Sequence, residues 1–222
     1  MHLPWEHPSS FDFLKAVKKA FAPELVINLG DEVDWQSLNF HGVSPDLPSV
    51  KDELKLVRSK VKKLEAIFPA MLLCESNHGM LPFRRAFAAG ISRHMVMPYE
   101  SILDVGPRWR WAKEIVLGNR ILFRHSFGKN IALCAKRYGL SLVQGHFHEN
   151  QELHFFEVGS RSYFAASVGC LIDKSHEAFS YSHSNVFRPR LGVLLIKNGV
   201  PKLLPMRCHK DSGEWDGELH YV

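Results

Sequence analysis

Four apolar runs in this sequence each end in residues that can bind a metal ion. The residues that follow these runs are Asp31, Asn77, His78, His125, His146 and His148. A lone histidine or Gly-Asp pair after a strand is usually a turn or a surface residue, but an ordered series of this kind is hard to obtain by chance. Carboxylate, amide and neutral imidazole groups offer oxygen and nitrogen donors, which suit Mn²⁺, Fe, Zn²⁺ or Ni²⁺. The series therefore predicts a metal site assembled from distant parts of the chain.

One carboxylate among several histidines is typical of a site in which two divalent ions share a ligand. Two ions about 3.5–4 Å apart can acidify a water molecule and hold a phosphoryl group in line with it. They also neutralise the oxygens on which negative charge accumulates during phosphoryl transfer. The chemistry that these residue types favour is the hydrolysis of a phosphate ester.

The elements that would position these residues alternate along the chain. Amphipathic spacing predicts helices over 11–21 and 49–68, the second capped by Ser49, and short apolar runs before Asp31 and Asn77 predict buried strands. Strands dominate from about residue 114, with turns predicted at Gly118-Asn119 and Asn198-Gly199 and a helix that ends at Gly139. This order indicates an α/β protein with a mixed sheet or sheet pair covered by helices. In such sheets, ligands bind beyond the carboxyl ends of the strands, where the polar residues lie.

Length and composition fit one domain over residues 1–222, with no interpretation for the polar tail from about residue 207. Four widely spaced cysteines predict free thiols in a reducing cytoplasm. The first residues lack the features of a signal peptide, and no apolar stretch approaches about 18 residues, so neither secretion nor a membrane partner is expected. The net charge of +5 is compatible with a polyanionic substrate, and equally with a protein that is merely basic.

The motifs GDEVD with Asp31, ESNHG with Asn77 and His78, FRHS with His125 and GHFH with His146 and His148 resemble those of the calcineurin-like metallophosphoesterases. The resemblance covers residues 2 to about 170, and its motifs are specific to the superfamily, not to a substrate. A weaker similarity is to small phage and bacterial members. The resemblance implies a four-layer αββα sandwich of two mixed sheets flanked by helices, with the first strand shortened. It also implies two divalent ions, with Mn²⁺ favoured over Fe, Zn²⁺ or Ni²⁺.

The resemblance also implies a role for each matching residue. Asp31 would bridge the two ions and Asp34 would orient its neighbours without binding a metal. His78 would protonate the leaving oxygen or stabilise the transition state. One ion would be held by Asn77, His125 and His146, and the other by His148 and His2.

Two departures from the family pattern affect these expectations. Gly79 stands where an acidic residue usually follows the Asn-His pair, so the positioning of His78 is an open question. His2 matches the histidine of the family's Asp-x-His motif, which places the aspartate of that motif just before Met1. We expect the natural protein to carry further residues that supply this aspartate; the alternative is an impaired site. An upstream stop codon with no in-frame aspartate codon would exclude the first explanation. The chain of 222 residues taken alone is expected to bind one ion more firmly than the other.

The sequence leaves the substrate open. Arg84 and Arg85 are candidate phosphate contacts, although arginines on a short helix are more often solvated. The segment 106–114 interleaves arginines with tryptophans, which suits either nucleic-acid stacking or a strand with its tryptophans inward. The leading hypothesis is a phosphodiesterase acting on substrates such as DNA or RNA. The alternatives are a phosphomonoesterase and a catalytically impaired nucleic-acid-binding protein. Among the histidines that match no motif, only His41 and His183 are considered as residues lining the cleft.

Overall fold

The computed structural model describes residues 1–40, 46–118, 120–173, 175 and 188–221. His41, His183 and Asn119 of the expected turn lie outside these residues. The helices are α1 (Ser10–Phe21), α2 (Val50–Ile67), α3 (Leu81–Ala88), α4 (Tyr99–Leu103) and α5 (Ile131–Tyr138). The strands are β1 (Ile27–Asn28), β2 (Met71–Cys74), β3 (Trp109–Ala112), β4 (Ile115–Leu117), β5 (Ile121–Arg124), β6 (Ser141–Gln144), β7 (Gln151–Val158), β8 (Arg161–Val168), β9 (Gly192–Lys197) and β10 (Val200–Pro205).

Capping residues set the ends of two of the predicted helices, α2 and α5. The Ser49 hydroxyl accepts a hydrogen bond from the backbone N–H of Asp52 at 3.3 Å, as expected for the start of α2. Asn130 caps α5 in the same way, through the N–H of Leu133 at 2.9 Å. That helix ends at Gly139, whose φ of 62° is the left-handed conformation that glycine adopts readily. Local sequence thus determines where both helices begin and where α5 ends.

The strands form two larger sheets and one hairpin. The first sheet has the order β1-β2-β3 and is parallel throughout, whereas the second has the order β4-β5-β6-β8-β7 and is mixed. Strands β9 and β10 pair as an antiparallel hairpin around the predicted Asn198-Gly199 turn. The expectation of two mixed sheets is thus corrected in one respect, because the three strands of the first sheet all run in the same direction.

Alternation along the strands shows how the layers are stacked. In β2, Leu73 packs into the core under α1 and α2, while Cys74 points into the core between the sheets. On the other side, Phe123 of β5 lines the same inter-sheet core, and its neighbour Leu122 packs against Ile131 of α5. Successive side chains of a strand point to opposite faces, so each sheet is covered on both sides. The expected αββα sandwich is confirmed.

Parallel strands bring the predicted site residues to one edge. Asn28 of β1 is in register with Leu73 of β2, and Arg124 of β5 with Gln144 of β6. The loops that leave these four strands therefore emerge on the same side of the sandwich. Strand β1 is only two residues long, shorter than the apolar run suggested, because Gly30 (φ 92°) turns the chain sharply. Leu3 makes an isolated parallel bridge to Val33 beside this turn.

The segment after β10, which had no predicted structure, packs against α1. Trp215 lies edge-on to Phe13 with ring centroids 5.5 Å apart, and its backbone N–H donates to the Ser9 hydroxyl at 3.2 Å. The four cysteines form no disulfide within the described residues, as predicted. Among the described residues, no helix is long and apolar enough to cross a membrane.

Candidate metal centre

The backbone is strained at three of the predicted ligands. His2, Asp31 and His146 have φ values of 57°, 51° and 63°, in the left-handed region that non-glycine residues seldom adopt. Each such residue costs roughly 1–2 kcal/mol and persists only where the surroundings enforce it. Strain of this kind concentrates at functional sites, and here it turns three donor side chains toward one another.

Asp31 lies at the centre of the cluster. Its Oδ2 atom is 3.4 Å from Nε2 of His2 and 3.3 Å from Nε2 of His125. The side chain is almost fully buried, and the backbone N–H of Asp31 donates to the Ser76 hydroxyl at 2.9 Å. One carboxylate therefore faces histidines on two sides, which is the arrangement predicted for a bridging ligand.

The first group of donors lies on the His125 side of Asp31. Nε2 of His125 is 2.7 Å from Oδ1 of Asn77 and 3.0 Å from Nδ1 of His146. The other ring nitrogen of His125 donates to the carbonyl oxygen of Leu29 at 2.8 Å. A neutral imidazole that donates through Nδ1 keeps a free lone pair on Nε2, where a metal would bind. Four side chains thus converge here, those of Asp31, Asn77, His125 and His146.

The second group lies on the His2 side. Nε2 of His2 is 3.0 Å from Nε2 of His148, and both are within reach of Asp31. Nδ1 of His2 is held by Oδ1 of Asp34 at 2.6 Å. A carboxylate that fixes the far side of a metal-binding histidine orients the ring and raises its basicity. Asp34 therefore occupies the orienting position predicted for it, and this group offers three donors.

His78 lies beside both groups. Its Nδ1 donates to the backbone carbonyl of Asp34 at 2.5 Å, and its ring stands edge-on to His2 with centroids 4.6 Å apart. The ring is therefore oriented without an acidic residue at position 79. A Cβ on Gly79 would lie 3.7 Å from a carboxylate oxygen of buried Glu32, which is also 3.1 Å from Nε1 of Trp111.

The charge states of the cluster suit metal binding. Burial places the pKa of His148 well below its usual value and lowers the pKa of His125, so both rings are neutral donors near pH 7. Burial opposes ionisation of Asp31, but the hydrogen bond from His2 and the positive charge of that ring bring the pKa of Asp31 well below normal. Burial also disfavours the charged form of His2, yet Asp31 and Asp34 outweigh it and raise the pKa of His2.

Metal affinity is expected to rise with pH as a result. His2 keeps its proton beyond its usual pKa of about 6.5, and a bound ion must displace that proton from Nε2. One released proton corresponds to about a tenfold gain in affinity per pH unit below the pKa of His2. Titration of the metal-free chain with Mn²⁺ against a fluorescent chelator, from about pH 5.5 to 7.5, measures this slope. An affinity that does not change with pH would contradict the assigned charge of His2.

Replacing Asp34 with Ala is expected to weaken metal binding about 10–100-fold, the usual range for losing the partner that orients a ligand. The reason is that His2 loses the hydrogen bond that fixes its ring, although no ligand is removed. The dissociation constant for Mn²⁺ measures the effect. The matched control is Asp12→Ala, because Asp12 is an exposed residue of α1; equal losses in both variants would argue against the role of Asp34.

Supporting residues that the sequence did not single out hold the loops in place. The Ser76 hydroxyl accepts hydrogen bonds from the N–H groups of Asp31 and Gly79. Buried Gln144 accepts from the N–H of Phe127 at 2.8 Å and donates to Ser167, which ties the loop after His125 to β6. The sequence signal for the role of Gln144 was its position as a polar residue at the end of an otherwise apolar run. Gly30 is required by space, because a Cβ there would lie 2.6 Å from that of Ser76.

The predicted substrate contacts are placed less favourably. Arg85 donates to the carbonyl oxygens of Leu38 and Asn39 and stacks on Phe40, so it is engaged within the protein. Arg84 is exposed, with its guanidinium 5.1 Å from the centroid of the Phe40 ring. Neither arginine forms an ion pair within the described residues, and neither is bonded to the metal-ligand cluster.

The tryptophans of segment 106–114 point inward. Trp109 is buried and donates through Nε1 to the carbonyl of Phe68 at 3.0 Å, while Trp111 donates to Glu32. Arg108 and Arg110 are exposed. The alternative in which these tryptophans stack on nucleic-acid bases is therefore wrong, and the strand with its arginines outward is the observed one.

Neither a scan against protein-family models nor a search of curated proteins finds a match for this chain. What the site can do is therefore inferred from its own side chains. Two donor groups share one buried carboxylate, and a histidine with a free Nε2 atom stands beside them.

Proposed function

We propose that this chain is a dinuclear metal-dependent phosphoesterase of the calcineurin-like type that hydrolyses phosphodiesters. The observation that carries the proposal is the position of Asp31, which lies 3.3–3.4 Å from the facing nitrogens of His125 and His2. A carboxylate shared by two sets of donors is what a pair of divalent ions requires. The resemblance of the motifs to that superfamily supports the same conclusion.

The donor set fits divalent ions of intermediate hardness. Ligand bonds of about 2.0–2.2 Å place neighbouring donor atoms about 3–3.4 Å apart, close to the separations of Asp31, His125 and His146. Thiolates do not compete, because burial raises the pKa of Cys74 to about 12 and that of Cys170 to about 11. Nitrogen donors with one carboxylate favour Mn²⁺, with Fe, Zn²⁺ and Ni²⁺ as further candidates. The four-donor group is expected to bind the firmer ion.

The bound ions, His78 and Asp34 would have different roles in hydrolysis. When bound, a pair of ions would supply an acidified water molecule and neutralise the phosphoryl oxygens. His78 donates through Nδ1 to the carbonyl of Asp34, so Nε2 carries a hydrogen only in the doubly protonated ring. In that form, Nε2 could give its proton to the leaving oxygen, and the ring would return to the neutral state. Asp34 maintains this arrangement, because it fixes His2 through its carboxylate and His78 through its carbonyl.

The charge around the site favours diesters over monoesters. A monoester carries about two negative charges near pH 7, and a diester carries one. Within the described residues, the ion pairs of Asp31 and Asp34 are with histidines, not with lysine or arginine. Asn77 and His146 are exposed, so the four-donor group opens to solvent and admits a large ester group. A substrate with one charge and two bulky groups fits this site better than a free phosphate end.

Hydrolysis of bis-p-nitrophenyl phosphate with added Mn²⁺ tests the proposal. We expect turnover that requires the metal and exceeds turnover of p-nitrophenyl phosphate. The His146→Ala variant should lose this activity, whereas His154→Ala should keep it, because His154 is an exposed residue of β7 paired with Glu152. Full activity in excess chelator, or in His146→Ala, would refute a metal-dependent phosphoesterase. Faster turnover of the monoester would leave the metal chemistry in place and refute the preference for diesters.

A further inference from the structure

A basic groove crosses the end of the molecule opposite the metal centre. Its first part, of about 860 Å³, lies between α1 and α2, and its second part, of about 520 Å³, lies beside the amino ends of β2 and β3. The two parts share Lys18 and Ile67. The basic residues that line the groove are Lys15, Lys18, Lys19, Lys63, Arg108 and Arg110.

The position of the groove follows from the direction of the strands. Met71 begins β2, lines the groove, and is in register with Trp109 of β3. Trp109 lies between the two arginines of the lining, Arg108 and Arg110. The metal ligands Asp31 and Asn77 follow the other ends of β1 and β2. The groove therefore cannot be part of the metal centre, and any ligand that it holds is bound separately.

The charges in the groove are largely uncommitted. Lys19, Lys63, Arg108 and Arg110 are exposed, and their side chains form no ion pair or hydrogen bond within the described residues. Among the described residues, only Asp12 and Glu24 contribute negative charge to the lining, and Asp12 is already paired with Lys15 at 2.9 Å.

Three other lysines of α2 are paired with carboxylates. Lys55 pairs with Asp52 at 3.1 Å, Lys62 with Glu65 at 3.2 Å, and Lys60 with Glu6. Lys51, in the first turn of α2, is exposed and has no ion pair within the described residues, as is true of Lys63, but it does not line the groove. The groove differs because several unpaired cations from different elements line it, so its positive charge is available to a ligand outside the chain.

The shape and lining of the groove select the kind of ligand. The cations come from three elements and are all exposed, so they do not converge on a single phosphate. The surface between them is concave and partly apolar, with Phe11 and Ile67 in the first part. A concave surface does not match a flat bilayer, whereas a positive groove with an aromatic side chain suits a single strand, whose phosphates repeat and whose bases need apolar contact.

We propose that the basic groove binds the sugar-phosphate backbone of single-stranded nucleic acid. Such binding would keep a polymeric substrate attached while the metal centre acts on another part of it. The proposal does not depend on catalysis, because the groove and the metal centre share no residue.

Oligonucleotide binding in excess chelator tests the groove without turnover. The probe is a fluorescein-labelled thymidine oligomer of about 20 nucleotides, followed by fluorescence anisotropy over a range of salt. The groove variant carries Lys19→Gln, Lys63→Gln, Arg108→Gln and Arg110→Gln. The control variant removes the same charge at Lys55, Lys62, Lys136 and Arg137, which lie on the other faces of α2 and on α5.

We expect the groove variant to bind at least about tenfold more weakly, with a salt slope lower by roughly 3, since each lost contact to single-stranded nucleic acid removes about 0.7. The control should stay within about twofold of the unchanged chain, and hydrolysis of bis-p-nitrophenyl phosphate should be the same in all three. Equal losses in both variants would overturn the proposal, as would tighter binding to a duplex or to phosphatidylserine vesicles than to the oligomer.

A measurement on the unchanged chain keeps the test independent of how the variants fold. Lysine acetylation followed by mass spectrometry reports the accessibility of each side chain. Addition of the oligomer should protect Lys19 and Lys63 several-fold and leave Lys55 and Lys62 unchanged. Equal acetylation of Lys19 and Lys63 with and without the oligomer would also overturn the proposal.

Discussion

The Asp31→Asn variant is expected to hydrolyse bis-p-nitrophenyl phosphate at least about 10³-fold more slowly than the unchanged chain. Loss of one group that stabilises transition-state charge costs about 10²–10³-fold in other enzymes, and Asp31 serves both donor groups. The substitution keeps the size of the side chain but removes the charge that the pKa of Asp31, well below normal, maintains near pH 7. The substitution also removes the negative charge that faces His2 in one donor group and His125 in the other.

Steady-state kinetics with saturating Mn²⁺ measure this loss, and the effect should fall on kcat as well as on metal affinity. Asp12→Asn is the matched control, since it makes the same chemical change at an exposed position on α1. A variant at Asp31 that keeps more than about a tenth of the activity would show that the carboxylate is not a shared ligand.

Binding of Mn²⁺ is expected to raise the midpoint of thermal unfolding by roughly 5 to 15 °C. An ion present at 100 to 1,000 times its dissociation constant adds about 2.7–4.1 kcal/mol to the free energy of unfolding, and each kcal/mol shifts the midpoint by about 2–4 °C in a chain of this size. The geometry of the cluster explains why a bound ion should stabilise the fold strongly. The ligand atoms of Asp31, His2 and His148 lie within 4.8 Å of one another, and so do those of Asp31, His125 and His146. His2, Asp31 and His146 are also held in strained backbone conformations.

Differential scanning fluorimetry with Mn²⁺ and then with excess chelator measures this shift. The Asp31→Asn variant is the control, and it should shift by no more than about 2 °C because both donor groups lose their charge. An equal shift in that variant would mean that the stabilising ion binds somewhere other than this cluster.

The assembly of the site was predictable because it depends on strand direction more than on detail. Asp31, Asn77, His125 and His146 each follow a short apolar run, and parallel strands carry such residues to the same edge. The layers were predictable for a similar reason, since apolar residues on both faces of β2 require cover on both sides.

Other features depend on contacts that a single sequence does not encode locally. From the sequence alone, Trp109 and Trp111 could point either into the core or toward solvent. Pairing of β3 with β2 and the hydrogen bond from Trp109 to Phe68 direct the tryptophans inward. Strand β1 is shorter than its apolar run because Gly30 must approach Ser76 closely.

The basic groove was unpredictable for the same physical reason. It joins residues that lie between positions 8 and 110, and their neighbourhood depends on how α1 and α2 pack over the first sheet. A net charge of +5 gave no indication that four unpaired cations would line one groove. Helix α4 is a comparable case, because its five residues are too few for a periodic pattern.

Anomalous X-ray diffraction at the manganese edge, from crystals grown with Mn²⁺, tests the dinuclear site most directly. We expect a strong peak among Asp31, Asn77, His125 and His146, and a weaker peak beside His2 and His148, about 3.5–4 Å away. The difference in strength follows from four donors in one group and three in the other. The absence of any peak within the cluster would contradict a metal centre here, and a single peak remote from Asp31 would contradict its role as the shared ligand.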